Sequence, residues 1–355
     1  MADKKQDAVR HDKQEMLKGL KSACERAKNI GVIIYGNPDP DALASAIALK
    51  VLVENDSRKV FIGYTGAIGR PENASMIRQL NIPAEPVDEG QAKNADLIAL
   101  VDAQPQFFKD FKLPRVDIII DHHPPHLDYG VKFADIRPEY QSTSSIMSEY
   151  LQAGRVRLTK RLASALLYGI KTDSRNFMNE LSHGDIEALR WLRKKTDRDI
   201  VKLIEFSQFS RETLDYFSIA LVRRKFIKGV MYAHLGPVPY SDVCVQVADF
   251  FIRVEQVGWA LVTGIVGDTL IVVFRNDGLK MDAGKLARAA FDHIGSAGGH
   301  MSMGRAEVQQ KNLPKGLLLT DNHAIECYIL SELAKVDPVF VPILRQVRCT
   351  IESRR

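Results

Sequence analysis

Four short apolar runs built from branched aliphatic residues, three of them leading into carboxylates, constrain this chain more than any other feature. They are GVIIYG (31–36), KVFIG (59–63), DLIALVD (96–102) and VDIIID (116–121). Each is too short for a helix and too uniformly apolar for a strand with one wet face, so each reads as a strand buried on both faces. Helix-like segments, DALASAIALKVLVEN (41–55) and PENASMIRQL (71–80), lie between them. Strand and helix in alternation predict an α/β fold around a doubly wound, mainly parallel sheet. Ahead of it, residues 12–29 place Met16, Leu20, Cys24 and Ala27 on one helical face, with Asp12 and Glu15 in capping-box positions.

In open sheets of this kind the functional crevice lies outside the carboxyl ends of the strands. Here the first run delivers Asn37-Pro38-Asp39-Pro40-Asp41, the third ends at Asp102, and the fourth ends in Asp121-His122-His123. Asp173 follows a helix-like run ending Tyr168-Gly169-Ile170. One aspartate at a strand end is usually a helix cap or a turn residue. Several carboxylates and imidazoles at one sheet edge are different, because burying them is costly without a metal or mutual pairing. Carboxylate-rich ligation with histidine suits Mn²⁺ or Mg²⁺ better than a thiolate-selecting metal, with Zn²⁺, Co²⁺ and Fe²⁺ as alternatives. Two such ions about 3.5 to 4 Å apart can share a bridging aspartate while a hydroxide between them attacks phosphorus.

Composition narrows the setting. The 355 residues, 45% hydrophobic and 26% charged, are enough for two folded domains. No run approaches the roughly 20 apolar residues of a membrane span, and the polar start MADKKQDAVRHDKQEM has no apolar signal core, so a cytoplasmic protein without a membrane partner is expected. Cys24, Cys244, Cys327 and Cys349 show neither zinc nor disulfide spacing. A net charge of +5 helps an anionic substrate approach but falls short of a dedicated duplex-DNA binder.

Downstream, residues 183–228 are helical in pattern and strongly charged, with no strand candidate. VMYAHL, WALVTGIVGDTLIVVFR and MGRAEV then read as strands around a helical LARAAFDHI, which fits a smaller α+β domain. The expected divisions are a catalytic domain at 1–190, a helical connector at 191–228, a second domain at 229–312, and an extension at 313–355 with packing or dimerisation as its default role. In the second domain, Arg275-Asn276 follow a strand and Gly295-Ser296-Ala297-Gly298-Gly299-His300 read as a loop. Alone, these would be a surface charge and a turn. Ser142 to Ser145 could begin a helix facing the crevice, but N-capping explains them equally and they stay outside the site. Phe107 and Phe108 could stack on a base, but apolar aromatics in QPQFFKDF are more often packing residues, and they stay unassigned.

The four blocks NPDPDALAS, VDAQP, DHHPP and GIKTDSRNF, in this order, resemble the DHH phosphoesterase superfamily over roughly residues 30–310. That group includes RecJ-like exonucleases, nanoRNase/pAp phosphatases, cyclic-di-AMP phosphodiesterases and family II pyrophosphatases. The resemblance implies two divalent cations. Asp39 and Asp102 would hold one; Asp41, Asp102, His122 and Asp173 would hold the other, with Asp102 as the bridge. Asp121 would orient His122, and His123 would contact the scissile phosphate or assist the leaving oxygen. Tyr35 stands where the family's first motif often carries a histidine ligand, which bears on how one metal site is completed.

The second domain resembles a DHHA1 module, in which Arg275, Asn276, Gly298, Gly299 and His300 would bind substrate. Glycines let a backbone approach a phosphate, and an arginine can grip one with two hydrogen bonds. By this resemblance the expected enzyme is a manganese-dependent phosphoesterase acting, between its two domains, on short single-stranded RNA or DNA, dinucleotides or pAp, and a homodimer is an open expectation. Neither a membrane-bound sensor region nor an oligonucleotide-binding domain has residues here, which favours the stand-alone nanoRNase type over the membrane cyclic-di-AMP enzymes and full-length RecJ. The Arg275 and GGH marks speak against a family II pyrophosphatase. The competing class is a nucleotide-binding regulatory protein with an impaired metal centre, for which Tyr35 and the thinned glycine run are the motive.

Overall fold

A computed structural model describes residues 13–125, 129–207, 209–278 and 281–352, and the chain divides into two compact units, 1–209 and 210–355. The first contains a six-stranded sheet in the order β3-β2-β1-β4-β5-β6, every adjacent pair parallel. Its strands are β1 (Asn29–Ile34), β2 (Lys59–Tyr64), β3 (Ala84–Pro86), β4 (Leu97–Val101), β5 (Ile118–Asp121) and β6 (Phe133–Ile136). Asp102 and Asp121 therefore close the fourth and fifth strands. The two strands not anticipated lie on the two edges: β3 is three residues long and ends in proline, and β6, FADI, is only partly apolar.

The helices of this unit are α1 (Lys13–Cys24), α2 (Pro40–Val53), α3 (Pro71–Leu80), α4 (Glu89–Lys93), α5 (Thr143–Ala153), α6 (Lys160–Asp173), α7 (His183–Arg193) and α8 (Arg198–Glu205). In α1, Leu17, Leu20 and Cys24 are buried and Met16 packs against the core; Asp12 lies outside the described residues. Strand side chains alternate between faces. Val32, Leu97, Ala99, Val101 and Ile120 join one apolar cluster with α2, α5 and α6, while Ile33, Ile98 and Leu100 join another with Ala92 and Phe108. Both faces are thus covered, which is why these strands read as uninterrupted apolar runs. Alpha-helix α2 is buried nearly all round, starting from Pro40 at its first turn with Asp39 as its cap.

The strand order reverses between β1 and β4, which diverge from this point to the two sides of the sheet. Their carboxyl ends flank the topological switch point, where open α/β sheets bind ligands. The peptides after these strands carry Asp39, Asp41 and Asp102.

The second unit holds a mixed sheet in the order β11-β12-β10-β9-β8-β7. Its strands are β7 (Lys225–Ile227), β8 (Val230–Pro237), β9 (Trp259–Val266), β10 (Thr269–Asn276), β11 (Ser296–His300) and β12 (Met303–Gln309), with only β8 and β9 parallel. Its helices are α9 (Arg211–Arg223), α10 (Asp242–Phe251), α11 (Ala283–Phe291), α12 (Asn322–Val336) and α13 (Val341–Glu352).

The segment read as a helical connector is divided between the units, with α7 and α8 in the first and α9 in the second, and it ends in strand β7. Residues 313–352 are not a detached extension. Ile325, Ile329, Leu333, Phe340 and Ile343 share the core of the second unit with Phe274 and Phe291. The glycine run read as a loop is edge strand β11, whose Gly299 takes φ +139° against the Met303 carbonyl, a conformation and a clearance that only glycine tolerates. Among the described residues no helix is long and apolar enough to cross a membrane.

Candidate metal centre

Asp41, Asp102, His122 and Asp173 each present a ligand atom within 4.8 Å of all the others. They come from the start of α2, the end of β4, the end of β5 and the last residue of α6, so four separate segments meet at the switch point. His122 Nε2 lies 3.4 Å from Asp102 Oδ1 and 3.3 Å from Asp173 Oδ2, yet it is buried and makes no hydrogen bond. Its Nδ1 faces the Tyr140 carbonyl at 3.2 Å, which fixes the ring with Nε2 toward the carboxylates. Ligands about 2.0–2.3 Å from one ion lie within about 4.5 Å of each other, so three carboxylates and one unpartnered imidazole nitrogen fit a divalent cation.

The electrostatics agree with that fit. Burial, and then the charge of Asp173, push the Asp41 carboxyl up to about 7. Burial, and then the charges of Asp41 and Asp39, push Asp102 well above its ordinary value. Burial opposes a charge on His122, but the carboxylates of Asp102 and Asp173 outweigh it and raise the ring to about 12. Carboxylates crowded together out of water hold protons when no other cation balances them.

Asp102 adopts φ +56°, in the left-handed region that costs a non-glycine residue energy, although aspartate tolerates it better than most. Its backbone N–H donates to the Ile120 carbonyl at 3.0 Å, and its Oδ1 accepts from the Thr143 hydroxyl at 3.0 Å. Asp39 stands outside the set of four, with Oδ1 accepting the Ala42 N–H at 2.8 Å as the cap of α2. Tyr35 is half exposed and touches Phe107 and Phe108.

Asp121 serves a different neighbour from the one anticipated. Its Oδ1 accepts from His123 Nδ1 at 2.9 Å and from the backbone N–H of His122 at 2.9 Å, while the ring of His122 is held by the Tyr140 carbonyl. Burial would raise the Asp121 carboxyl, but the His123 contact reverses this and holds it below the usual carboxylate range. The other oxygen, Oδ2, accepts from Gln104 Nε2 at 2.6 Å, and the same amide reaches the carbonyls of His123 and Pro124. Tyr129 donates to Gln104 Oε1 at 2.8 Å.

Two groups that sequence reasoning left aside belong to this centre. The N–H groups of Thr143 and Ser144, first in α5, donate to Asp41 Oδ2 and Oδ1 at 2.7 and 2.8 Å, and the positive helix end favours the carboxylate. The signal was the hydroxyl run Ser142 to Ser145, but a plain cap gives the same run. Gly169 is the other: a Cβ there would lie 2.5 Å from Ser144 Oγ and 3.0 Å from Asp41 Oδ1, so α6 can approach the site only without a side chain.

In the second unit, Arg275, Met303 and His300 stand in register across β10, β12 and β11, one strand position before Gly299 paired with Gly304. Arg275, Gly299 and His300 thus share one end of that sheet. Arg275 Nε donates to Asp249 Oδ1 at 2.6 Å. Asn276 is occupied locally, donating to the Met281 carbonyl at 2.6 Å and accepting the Gly278 N–H at 2.9 Å.

A parallel α/β sheet with three carboxylates and an imidazole converging at its switch point defines the class of protein, and comparison with known proteins narrows it. Residues 29–170 match the DHH family, N-terminal domain, and this segment of the chain belongs to the DHH superfamily. An uncharacterized protein of Methanocaldococcus jannaschii is 34% identical over 297 residues, 83% of this chain and 61% of that protein. A cyclic-di-AMP phosphodiesterase, GdpP, of Geobacillus thermodenitrificans is 29% identical over 189 residues, 47% of this chain and 28% of that protein. A probable bifunctional oligoribonuclease and PAP phosphatase, NrnA, of Streptococcus mutans is 26% identical over 152 residues, 40% of this chain and 44% of that protein. The chain therefore spans less than two thirds of the length of each of these relatives. Among solved structures, an exopolyphosphatase-related protein from Bacteroides fragilis shares the fold, with TM-score 0.70 and 17% identity over 92% of this chain and 98% of its own.

Proposed function

We propose that this chain is a manganese-dependent phosphoesterase that hydrolyses very short oligonucleotides or linear dinucleotides, with pAp as a second substrate. The observation that carries this reading is the convergence of Asp41, Asp102, His122 and Asp173 around an imidazole nitrogen that has no other partner. Oxygen-rich ligation with one nitrogen favours Mn²⁺, Mg²⁺ or Co²⁺ over softer metals. Asp39 would extend the set to a second ion that shares Asp102. Divalent cations held there supply Lewis acidity toward the phosphoryl oxygens and make water a nucleophile near neutral pH.

The chain's own groups do the rest. Thr143 and Ser144 hold the Asp41 carboxylate in place, and Thr143 fixes Asp102. His123, tied at Nδ1 by Asp121, would contact the scissile phosphate or assist the leaving oxygen. In the second unit Arg275, Gly298, Gly299 and His300 would bind the substrate, Arg275 by its guanidinium and the glycines by backbone N–H groups, while Asn276, taken up by Met281 and Gly278, holds the turn beside them instead of substrate. The similarity to an oligoribonuclease and PAP phosphatase supports the choice of substrate. Similarity to a cyclic-di-AMP phosphodiesterase supports a second reading, in which cyclic or linear dinucleotides are the physiological substrates.

The test is turnover of a 5′-labelled diribonucleotide, pAp and cyclic-di-AMP by purified protein with Mn²⁺, Mg²⁺ or Co²⁺, with Asp102→Ala as the control. Metal-dependent release of mononucleotide, lost by orders of magnitude in Asp102→Ala, is expected. Absence of turnover with all three metals would instead favour a nucleotide-binding regulatory protein.

A further inference from the structure

A chain of ring contacts runs from solvent to the metal centre. Tyr35, at the carboxyl end of β1, is 47% exposed; its ring centroid lies 5.9 Å from that of Phe107 and 5.2 Å, edge-on, from that of Phe108. Phe107 meets the His123 ring edge-to-face at 5.6 Å, and His123 lies 4.5 Å from His122. Burial grades along this series: Phe108 is 8% exposed and anchored in the sheet core, Phe107 is half-buried, and Tyr35 is open. The short helical turn Pro105–Phe107 supplies the support; the Phe107 N–H donates to the carbonyl of Gln104 at 3.0 Å, and the side chain of Gln104 holds Asp121.

Two phenylalanines packed against the half-exposed Tyr35 ring remove the freedom that it would otherwise lose on binding. We infer that Tyr35, backed by Phe107 and Phe108, is a stacking platform for the nucleobase adjoining the scissile phosphate. This rests on the phosphoesterase reading above and deepens it. A platform next to His123 selects substrates that carry a flat ring beside the phosphate and gives no advantage to inorganic polyphosphate or pyrophosphate. It also gives Tyr35 a role at a position where the family's first motif often has a metal-binding histidine.

Base–aromatic stacking on such platforms typically changes affinity about ten- to hundredfold and tolerates different bases, because every base has a π face. Replacement of Tyr35 by a non-aromatic residue should therefore weaken nucleotides and leave a base-free sugar phosphate behind as the reference. The experiment is calorimetric titration of the Mn²⁺-loaded protein with adenosine 5′-monophosphate and, separately, with ribose 5-phosphate. The expected result is at least tenfold tighter binding of the nucleotide by wild type, a preference that collapses toward one in Tyr35→Ala and survives in Tyr35→Phe and Tyr35→Trp.

Equal affinity of wild type for the two ligands would overturn the platform, as would an unchanged preference in Tyr35→Ala. Loss of the preference in Tyr35→Phe as well would assign the effect to the hydroxyl and equally overturn stacking. Because this readout is binding, it stands apart from the turnover assay: a protein that discriminates the two ligands without hydrolysing anything refutes the proposed activity and keeps the platform.

Discussion

The backbone N–H of Thr143 donates to the carboxylate of Asp41 at 2.7 Å, across 102 residues of chain, so that one of the four converging side chains is held by the first turn of another helix. With Ser144 donating to the second oxygen, both carboxylate oxygens are oriented before any cation arrives. Such preorganisation distinguishes a built site from acidic residues that are merely close.

The approach of α6 to this pair depends on Gly169. Alanine in a helix interior usually stabilises by about 1 kcal/mol relative to glycine. At position 169 its methyl group would instead overlap Ser144 Oγ and press on Asp41. Gly169→Ala is expected to lower Mn²⁺ affinity at least tenfold by calorimetry, without a gain in thermal stability. A stabilised variant with unchanged affinity would show that α6 has room to spare.

Beside the centre, Arg137 is buried between two carboxylates, with Nε and Nη2 on Asp135 and Nη1 on Glu149, each at 2.7 Å. Tyr150 and Tyr140 donate to the same two carboxylates at 2.6 and 2.9 Å. Arg137→Met leaves Asp135 with the Tyr150 hydroxyl and Glu149 with Lys13 and the Tyr140 hydroxyl, and removing one partner of the buried Arg137–Asp135 pair costs about 3–5 kcal/mol. Urea unfolding measures it, and a loss under about 1 kcal/mol would contradict the network's role.

The same network sets an acid limb. Burial would raise the Glu149 carboxyl, but Lys13 and Arg137 outweigh it and hold its pKa below the ordinary 4.5. A folded-state value below the unfolded one means that the contribution is complete above about pH 4.5 and is lost as pH falls through the folded-state value. Between pH 6 and pH 3 the raised Asp41 and Asp102 carboxyls act in the opposite sense, so the expected outcome is a difference: the stability gap between wild type and Arg137→Met should narrow as pH falls. Parallel slopes would rule out this linkage.

Gln104 offers a test that separates positioning from metal binding. Its amide touches Asp121, the carbonyls of His123 and Pro124, and Tyr129, but none of the four converging ligands. Gln104→Leu is expected to reduce kcat about 10- to 100-fold, the usual cost of removing a group that orients a functional side chain, while Mn²⁺ affinity changes little. Equal loss of both would mean that Gln104 supports the whole pocket instead of His123.

Much of this architecture was legible in the sequence because local pattern and tertiary environment agree. The runs at 31–36, 96–102 and 116–121 are uniformly apolar since both faces of the sheet are covered, one by the long helices and the other by Ala92, Ala103 and Phe108, and Asp102 and Asp121 stand where those runs stop. What could not be read depends on partners distant in the chain. Phe133–Ile136 becomes a strand by pairing with β5, and Ala84–Pro86 by pairing with β2, although neither has strong strand character of its own. Ser296–His300 reads as a loop from its glycines, yet close packing depends on them: a Cβ at Gly299 would overlap the Met303 carbonyl, and Gly284 of α11 in turn lies against the Gly299 backbone. The exchange of ring partners, Asp121 with His123 and Tyr140 with His122, turns on side-chain directions that spacing does not encode. Thr143 and Ser144 acquire their role only because α5 begins opposite Asp41.

Every step of the proposed chemistry depends on cation binding by Asp41, Asp102, His122 and Asp173. The most direct measurement is a crystal of the protein soaked in Mn²⁺, with an anomalous difference map collected near the manganese edge. A peak about 2.0–2.3 Å from carboxylate oxygens of Asp41, Asp102 and Asp173 and from His122 Nε2 is predicted, with a second peak sharing Asp102 if Asp39 completes the pair. A saturated crystal with no anomalous density among those four side chains would contradict the account.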